Sequence, residues 1–365
     1  MLDYEIPELP PEPEQPSHLR VAIVAPPWVP VPPPAYGGTE AVLDYLARGL
    51  REAGHDVLLY TTGDSTCEVP IRYSREVAAG TVDAGAVTEL HHAVNAYETL
   101  LDWGADVVHD HTLIGPHIAG PYGVPVVTTN HGPFVSDLGD CYRMLGLRAP
   151  IIAISQHHAS TAGPVQVSAV IHHGVDVDRF PLGDGSGGYA LFLGRMNADK
   201  GVHTAARIAR DAGVQLRIAA KMREAPERAY FEARVKPLLG GDVEYVGEVG
   251  WQEKLELLAG ASCLLNPIQW PEPFGMVMIE ALASGTPVIA TPCGSVPEIV
   301  TDGVTGFVRA TDSELTDALL RIDELDRTWC RKDAETRFST ERMVADHVAL
   351  YRQAMAEHDA MSTAG

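Results

Sequence analysis

The sequence predicts an α/β fold built as two doubly wound parallel-sheet domains in tandem. Three observations predict it. Short apolar, strand-like runs alternate with helix-length amphipathic stretches along nearly the whole chain, the pattern of a parallel sheet covered on both faces. The alternation pauses at the glycine-rich residues 183–188 and then restarts. The length of 365 residues suits two domains of roughly 150 residues each.

Taken in order, residues 1–18 are rich in Pro and Glu and read as a mobile tail. Residues 19–25 form an apolar run with no alternation, as expected of a strand buried on both faces. A proline-rich loop leads to Gly37-Gly38, Thr39 is placed to cap a helix over 39–53, and Gly54 stops it. Further strands are expected at 57–62, 106–111, 124–130, 150–155 and 167–172, with a helix over 88–103. After 183–188, the best linker candidate, strands are expected at 189–193, 215–220, 243–246, 262–267, 287–291 and 305–309. Helices over 203–212, 227–239, 252–259 and 275–284 separate them, and three more fill 313–358. The expected domains are therefore 19–182 and 183–338, with the last helix, within 339–365, packing back on the first domain. In such sheets ligands bind at the carboxyl ends of the strands, so two facing domains would share a ligand between them.

Composition narrows the function. A net charge of −22 weighs against nucleic acid and anionic membrane surfaces as partners. No apolar run reaches the ~18 residues of a membrane span, and the N-terminus has no basic start followed by an apolar stretch. A cytoplasmic protein is the expectation. The five cysteines are scattered, without CxxC spacing, which fits a reduced compartment better than disulfides or zinc.

The chemistry is concentrated in a few short stretches. Glu272 and Glu280 lie eight residues apart, the first in a Pro/Gly turn and the second inside an apolar run. A buried carboxylate needs a partner. Eight residues span about 12 Å along a helix, too far for the ~5–9.5 Å of a glycosidase pair. The two could instead hold separate parts of one extended ligand, or be a helix-start acid and a solvent-facing one. In Gly194-Arg195-Met196-Asn197-Ala198-Asp199-Lys200-Gly201, two cations flank a loop at a strand end, where they suit phosphate but are equally consistent with ordinary surface charges. Gly37-Gly38 before a helix suits an anion or a plain turn. His131 ends a strand, the fourth of its domain by this reading, and could donate to a hydroxyl or be structural. His109-Asp110-His111 offers two imidazoles without a defined third metal ligand. The chain's one G-x-G-x-x-G, at 183–188, precedes a strand instead of joining a strand to a helix as in nicotinamide dehydrogenases, and the chain lacks the phosphate-binding G-x-x-x-x-G-K-[ST] loop and a G-x-S-x-G elbow around Ser155.

Together these stretches resemble glycosyltransferase family 4, whose members have the GT-B fold of two facing Rossmann-like domains. The resemblance rests chiefly on Glu272-Pro273-Phe274-Gly275, Glu280-Ala281-Leu282-Ala283-Ser284-Gly285-Thr286-Pro287, Gly294-Ser295-Val296-Pro297-Glu298 and Asp302-Gly303-Val304-Thr305-Gly306-Phe307. Gly37-Gly38, residues 106–111, Asn130-His131-Gly132, His173-Gly174-Val175-Asp176 and the Arg195–Lys200 loop support it, all in one order along nearly the whole chain. It implies a retaining transferase that moves a hexose-type sugar from a nucleotide diphosphate sugar, most often UDP, to a hydroxyl. It also implies residue roles. Arg195 and Lys200 would hold the diphosphate, with Gly37 and Gly38 closing on it. Glu280 would accept from the ribose hydroxyls. Glu272 and His131 would contact the transferred sugar. The backbone N–H groups of Phe274, Gly275, Met276 and Val277 would reach sugar and phosphate. Glu248 and Val249 would flank the base. No cofactor and no essential metal are implied, the nucleotide sugar being a co-substrate. One departure is the strand end Ala219-Ala220-Lys221-Met222, which lacks the glycines many members carry there. A nucleotide-sugar 2-epimerase and a non-catalytic nucleotide-sugar-binding protein are the rival readings. The acceptor would lie against 26–36, 67–85 and 133–148, the last with only Arg143 and Arg148 as cations. A soluble sugar, glycan or small metabolite is expected, with no strong membrane association.

Overall fold

A computed structural model describes residues 18–80 and 85–363. The Pro/Glu-rich segment before residue 18 lies outside the described residues, as do 81–84 within the expected acceptor side. The first sheet has seven parallel strands: β1 (Arg20–Val24), β2 (Asp56–Thr61), β3 (Ile71–Tyr73), β4 (Val107–Asp110), β5 (Val126–Thr129), β6 (Ile151–Ala153) and β7 (Ala169–Val170), ordered β3-β2-β1-β4-β5-β6-β7. Around it lie α1 (Gly38–Glu52), α2 (Ala86–Trp103), α3 (Gly115–Ile118), α4 (Ser136–Leu145) and α5 (Gln156–Ser160). The order reverses at β1, which pairs with β2 on one side and β4 on the other. Such a switch point opens a crevice above the strand ends.

The second sheet has six parallel strands: β8 (Tyr189–Arg195), β9 (Gln215–Lys221), β10 (Val243–Gly247), β11 (Ala261–Asn266), β12 (Val288–Ala290) and β13 (Gly306–Val308). Their order, β10-β9-β8-β11-β12-β13, reverses at β8. Its helices are α6 (Val202–Ala212), α7 (Ala225–Tyr230), α8 (Trp251–Gly260), α9 (Met276–Ala283), α10 (Val296–Ile299), α11 (Asp312–Leu319) and α12 (Arg327–Arg337). The central strands β1, β11 and β12 are almost wholly buried, which is why they read as continuous apolar runs. The last helix, α13 (Thr340–Thr363), returns to the first sheet and packs on α1 and β5. Among the described residues no helix is long and apolar enough to cross a membrane.

Three local readings need correction. The short edge strand β3 has exposed Arg72 and Tyr73, so no apolar pattern announces it; His131 consequently follows the fifth strand. The helix expected over 227–239 is α7 followed by a π turn and a 3₁₀ turn, Lys236–Leu238. Pro237 explains the change of pitch, since it has no N–H to continue the ladder. Thr39 is inside α1, whose N-cap is Gly37. A side chain at 37 would sit 2.6 Å from Pro33 Cβ and 2.9 Å from Glu40 Oε2. The glycine-rich residues 183–188 are held against the second domain. Gly183 N donates to Ser284 O, Gly185 N to Ala259 O and Gly187 N to Gly260 O, at 2.9–3.2 Å.

Candidate functional site

The carboxyl ends of both sheets line one cavity of about 1030 Å³. The first domain contributes the loop after β1, the start of α1, His131 after β5 and His173 after β7; the second contributes the ends of β8, β9, β10 and β11 and the start of α9. Gly37, Gly38, His131, Arg195, Lys200, Glu248, Val249, Glu272, Phe274, Gly275, Met276, Val277 and Glu280 all face this cavity. The topology gathers them because, apart from Glu280 in the body of α9, each follows a strand or opens a helix at the same end of its sheet.

The charged groups of the second domain are arranged in pairs. Glu280, 4 % exposed, is paired with Lys254 of α8 at 2.6 Å. This resolves how a carboxylate is tolerated inside the apolar helix α9. Lys200 is paired with Glu272 and also lies over the Trp270 ring. Arg223 forks onto Glu248 at 2.7 and 2.8 Å, a bidentate geometry, and Glu248 also accepts from Tyr36 N across the cleft. Lys221 lies 3.3 Å from Glu224. Arg195 differs: among the described residues it makes no carboxylate pair, and its Nε is buried without a hydrogen-bond partner. Beside it, burial pushes the Tyr36 phenol up to about 12, opposed by the Arg195 charge and reinforced by that of Glu272.

The segment bearing Glu272 is held from both domains. Ser155 of the first domain donates to Pro273 O at 2.6 Å, and Ser295 donates to Phe274 O through its side chain and to Glu272 O through its N–H. Gly294 (φ +63°) lies so close that a Cβ would be 2.4 Å from Glu272 O, so only glycine lets the two segments touch. The N–H groups of Phe274, Gly275, Met276 and Val277 have no protein acceptor among the described residues. They open α9, where the helix dipole and bare donors favour an anion.

On the first-domain side, His131 Nε2 and His111 Nδ1 are hydrogen-bonded at 2.9 Å, and the His131 ring stacks on His173. Burial holds His131 down at about 3, with the neighbouring histidines adding to it, so the ring is neutral. Asp110 accepts from Tyr97 and from Thr112, and burial lifts it to about 7. Among the described residues no three His, Cys, Asp or Glu side chains group as a metal site. Tyr36, Arg223, Trp251 and Lys254 also line the cavity and were not singled out from the sequence. Arg223 was legible in principle, lying just beyond the end of β9; Lys254 carries no such signal.

The chain is similar to known proteins. One family model, Glycosyltransferase Family 4, matches residues 36–179. A second, Glycosyl transferases group 1, matches residues 187–324. A glycogen synthase of Mycobacterium tuberculosis is 27% identical over 347 residues, covering 79% of this chain and 81% of its own. AviGT4, a glycosyltransferase involved in avilamycin A biosynthesis, superposes with a TM-score of 0.69 at 28% identity, covering 93% of this chain and 98% of its own. Anabaena HepE, solved with UDP and glucose, has a TM-score of 0.72 at 18% identity, covering 91% and 99%; that likeness is one of fold.

Proposed function

The chain belongs to glycosyltransferase family 4 and transfers sugar from a nucleotide sugar, and from that premise we propose that it moves a hexose from a UDP-sugar to a hydroxyl of a soluble acceptor, with retention at the anomeric carbon and without a metal. The observation that carries the reading is Arg195, without a carboxylate partner among the described residues and with its Nε unsatisfied, lining the same cavity as the bare N–H groups of 274–277. Such a cation and a helix start facing one cavity suit an anion. Glu272 just before α9 and Glu280 within it both line the cavity and are assigned to the sugar and the ribose of one donor.

In this reading Arg195 and Lys200 hold the diphosphate. Each is worth about 4 kcal/mol against a phosphate charge 4 Å away at an effective dielectric of 20. As the bond from the sugar's anomeric carbon to the phosphate oxygen breaks, negative charge grows on the leaving diphosphate. The two cations and the α9 donors stabilise it without reorganising. The acceptor oxygen bonds to the same face of that carbon, and its proton passes to the leaving phosphate oxygen. No protein nucleophile is required. Lys200 exchanges its Glu272 partner for phosphate, which frees Glu272 for the sugar hydroxyls. Lys254 steadies Glu280 against the ribose, and Arg223 holds Glu248 at the base.

UDP is favoured because HepE, of the same fold, is solved with UDP and glucose. A thermal-shift panel of UDP-, GDP- and ADP-glucose tests this, since a ligand that binds only the folded chain raises its stability. The UDP-sugar is expected to give the largest rise; a larger rise with GDP- or ADP-glucose overturns the choice. A soluble acceptor agrees with the net charge of −22 and with only Arg143 and Arg148 as cations over 133–148. Recovery of most of the protein on anionic vesicles at physiological salt would overturn it.

A further inference from the structure

Behind His131 runs a file of buried side chains that the donor site does not use. His111 is 6 % exposed and His109 fully buried, with ring centroids 4.0 Å apart. His109 Nε2 meets Thr129 Oγ1 at 2.8 Å, and its Nδ1 meets Tyr351 Oη of α13 at 2.7 Å. His347, also of α13, packs on the His109 ring. Both nitrogens of His109 thus have partners. Among the described residues His111 has only one: Nδ1 shares a hydrogen bond with His131 Nε2, and Nε2 is buried without a partner.

That orphan decides where the protons sit. If His131 Nε2 donated, His111 would carry its proton on Nε2, leaving a buried N–H without an acceptor. Orphaned buried N–H groups are the rarer and costlier case. If His111 donates from Nδ1, the orphan is only a lone pair. The rings are neutral, since burial holds both well below the usual histidine range, so one tautomer or the other must apply. We propose that His111 is a positioning residue: its Nδ1–H donates to His131 Nε2, which keeps the His131 proton on Nδ1 and presents it to the cleft as a hydrogen-bond donor. Nδ1 of His131 has no protein partner among the described residues, and the residue lines the cavity. The inference rests on the reading that places His131 at the transferred sugar. It adds that the donor polarity there is set from the interior, through a file anchored by the last helix.

Long-range ¹⁵N–¹H correlation of the ¹⁵N-histidine-labelled full chain at neutral pH reads the tautomer directly, the His131 signals being those lost in His131→Gln. The expected result is a neutral ring protonated at Nδ1; protonation at Nε2 overturns the proposal, whatever the variants do. Turnover is followed as nucleoside diphosphate release, with water as acceptor, from whichever of UDP-, GDP- or ADP-glucose stabilises the protein most. His111→Leu removes the donor and should lower kcat about tenfold, the scale of one hydrogen bond, with nucleoside diphosphate affinity within about twofold. His111→Asn places an amide N–H where Nδ1 stood and should recover most of kcat. Equal losses in both variants, or no loss in His111→Leu, overturn the proposal. Unchanged turnover in His131→Gln would instead overturn the placement of His131 at the sugar, while the tautomer measurement still decides the role of His111.

Discussion

The two walls of the cleft are made of different materials. The second domain contributes Arg195, Lys200, Lys221, Arg223 and Lys254, with Glu248, Glu272 and Glu280 set against them. The first contributes Trp28, Val29, a run of prolines, Gly37, Gly38 and neutral histidines, with the acids Glu40 and Asp44 and with Arg179 its one cation among the described lining residues. On the proposed function, the difference matches what each wall would bind. A nucleoside diphosphate is recognised by charge, and the second-domain wall carries cations that would repel one another without their carboxylates. A neutral hydroxyl acceptor would be recognised by shape and by donors of fixed polarity, and the first-domain wall is richer in apolar side chains and uncharged imidazoles.

The contrast can be broken most directly at Arg195. Arg195→Ala should lower turnover by about 10²–10³, the usual loss for a preorganised group facing developing charge, and weaken nucleoside diphosphate binding. A larger loss from Trp28→Ala in the same assay would invert the comparison. Next comes the buried pair. Glu280→Leu leaves Lys254 without its partner and should cost about 1–3 kcal/mol in denaturant unfolding and about tenfold in nucleotide affinity. Adding Lys254→Met should restore stability but not affinity, because only the first loss comes from an uncompensated charge; recovery of both would show that Glu280 has no ligand to hold.

On the acceptor side the sharpest test is mechanical. Gly49 of α1 is packed against α13 so tightly that a Cβ would lie 2.3 Å from Thr340 Cγ2. Gly49→Val should therefore destabilise the protein by about 1–3 kcal/mol through overpacking, with nucleotide affinity unchanged because neither Gly49 nor Thr340 lines the cavity. Linked loss of nucleotide affinity would mean that the walls are not independent.

The smallest effect per group is titration. Burial holds His92, His131, His158 and His347 at about 3–4 and His109, His111 and His173 well below their usual value. The unfolded chain therefore takes up protons on these rings below about pH 6.5 while the folded chain does not, so their contribution is present above that pH and lost as pH falls. Glu40 and Asp110 oppose this. Burial raises both to about 7, and their protonated forms favour the folded chain on acidification. With seven groups against two, the melting temperature should fall between pH 6.5 and 4.5; a rise over that interval would show that the acids dominate.

Legibility in the sequence followed the range of the interactions. Strands β1, β8 and β11 were readable because burial on both faces leaves a run of apolar residues. The edge strand β3 was not, since its pairing with β2 is its only reason to be extended. The loop Glu272-Pro273-Phe274-Gly275 and the helix start after it could be read as one unit because the backbone places neighbours locally. That Glu280 would need a partner was also legible. The partner itself, Lys254, stands on another helix 26 residues earlier, and no spacing rule points there.

By itself, then, the amino-acid order determined two parallel sheets, the end of each at which ligands gather, and which glycines, cations and acids stand there. These depend on period, turn chemistry and strand order, all local or nearly so. Only the tertiary structure decided how the charges are shared. It left Arg195 without a carboxylate among the described residues while giving Lys200, Lys221, Arg223 and Lys254 to carboxylates, and it set His131 in line with His111, His109 and Tyr351. The last contact joins residues 242 apart, and the proton positions along the file depend on which buried nitrogen lacks a partner, a property of the packed interior.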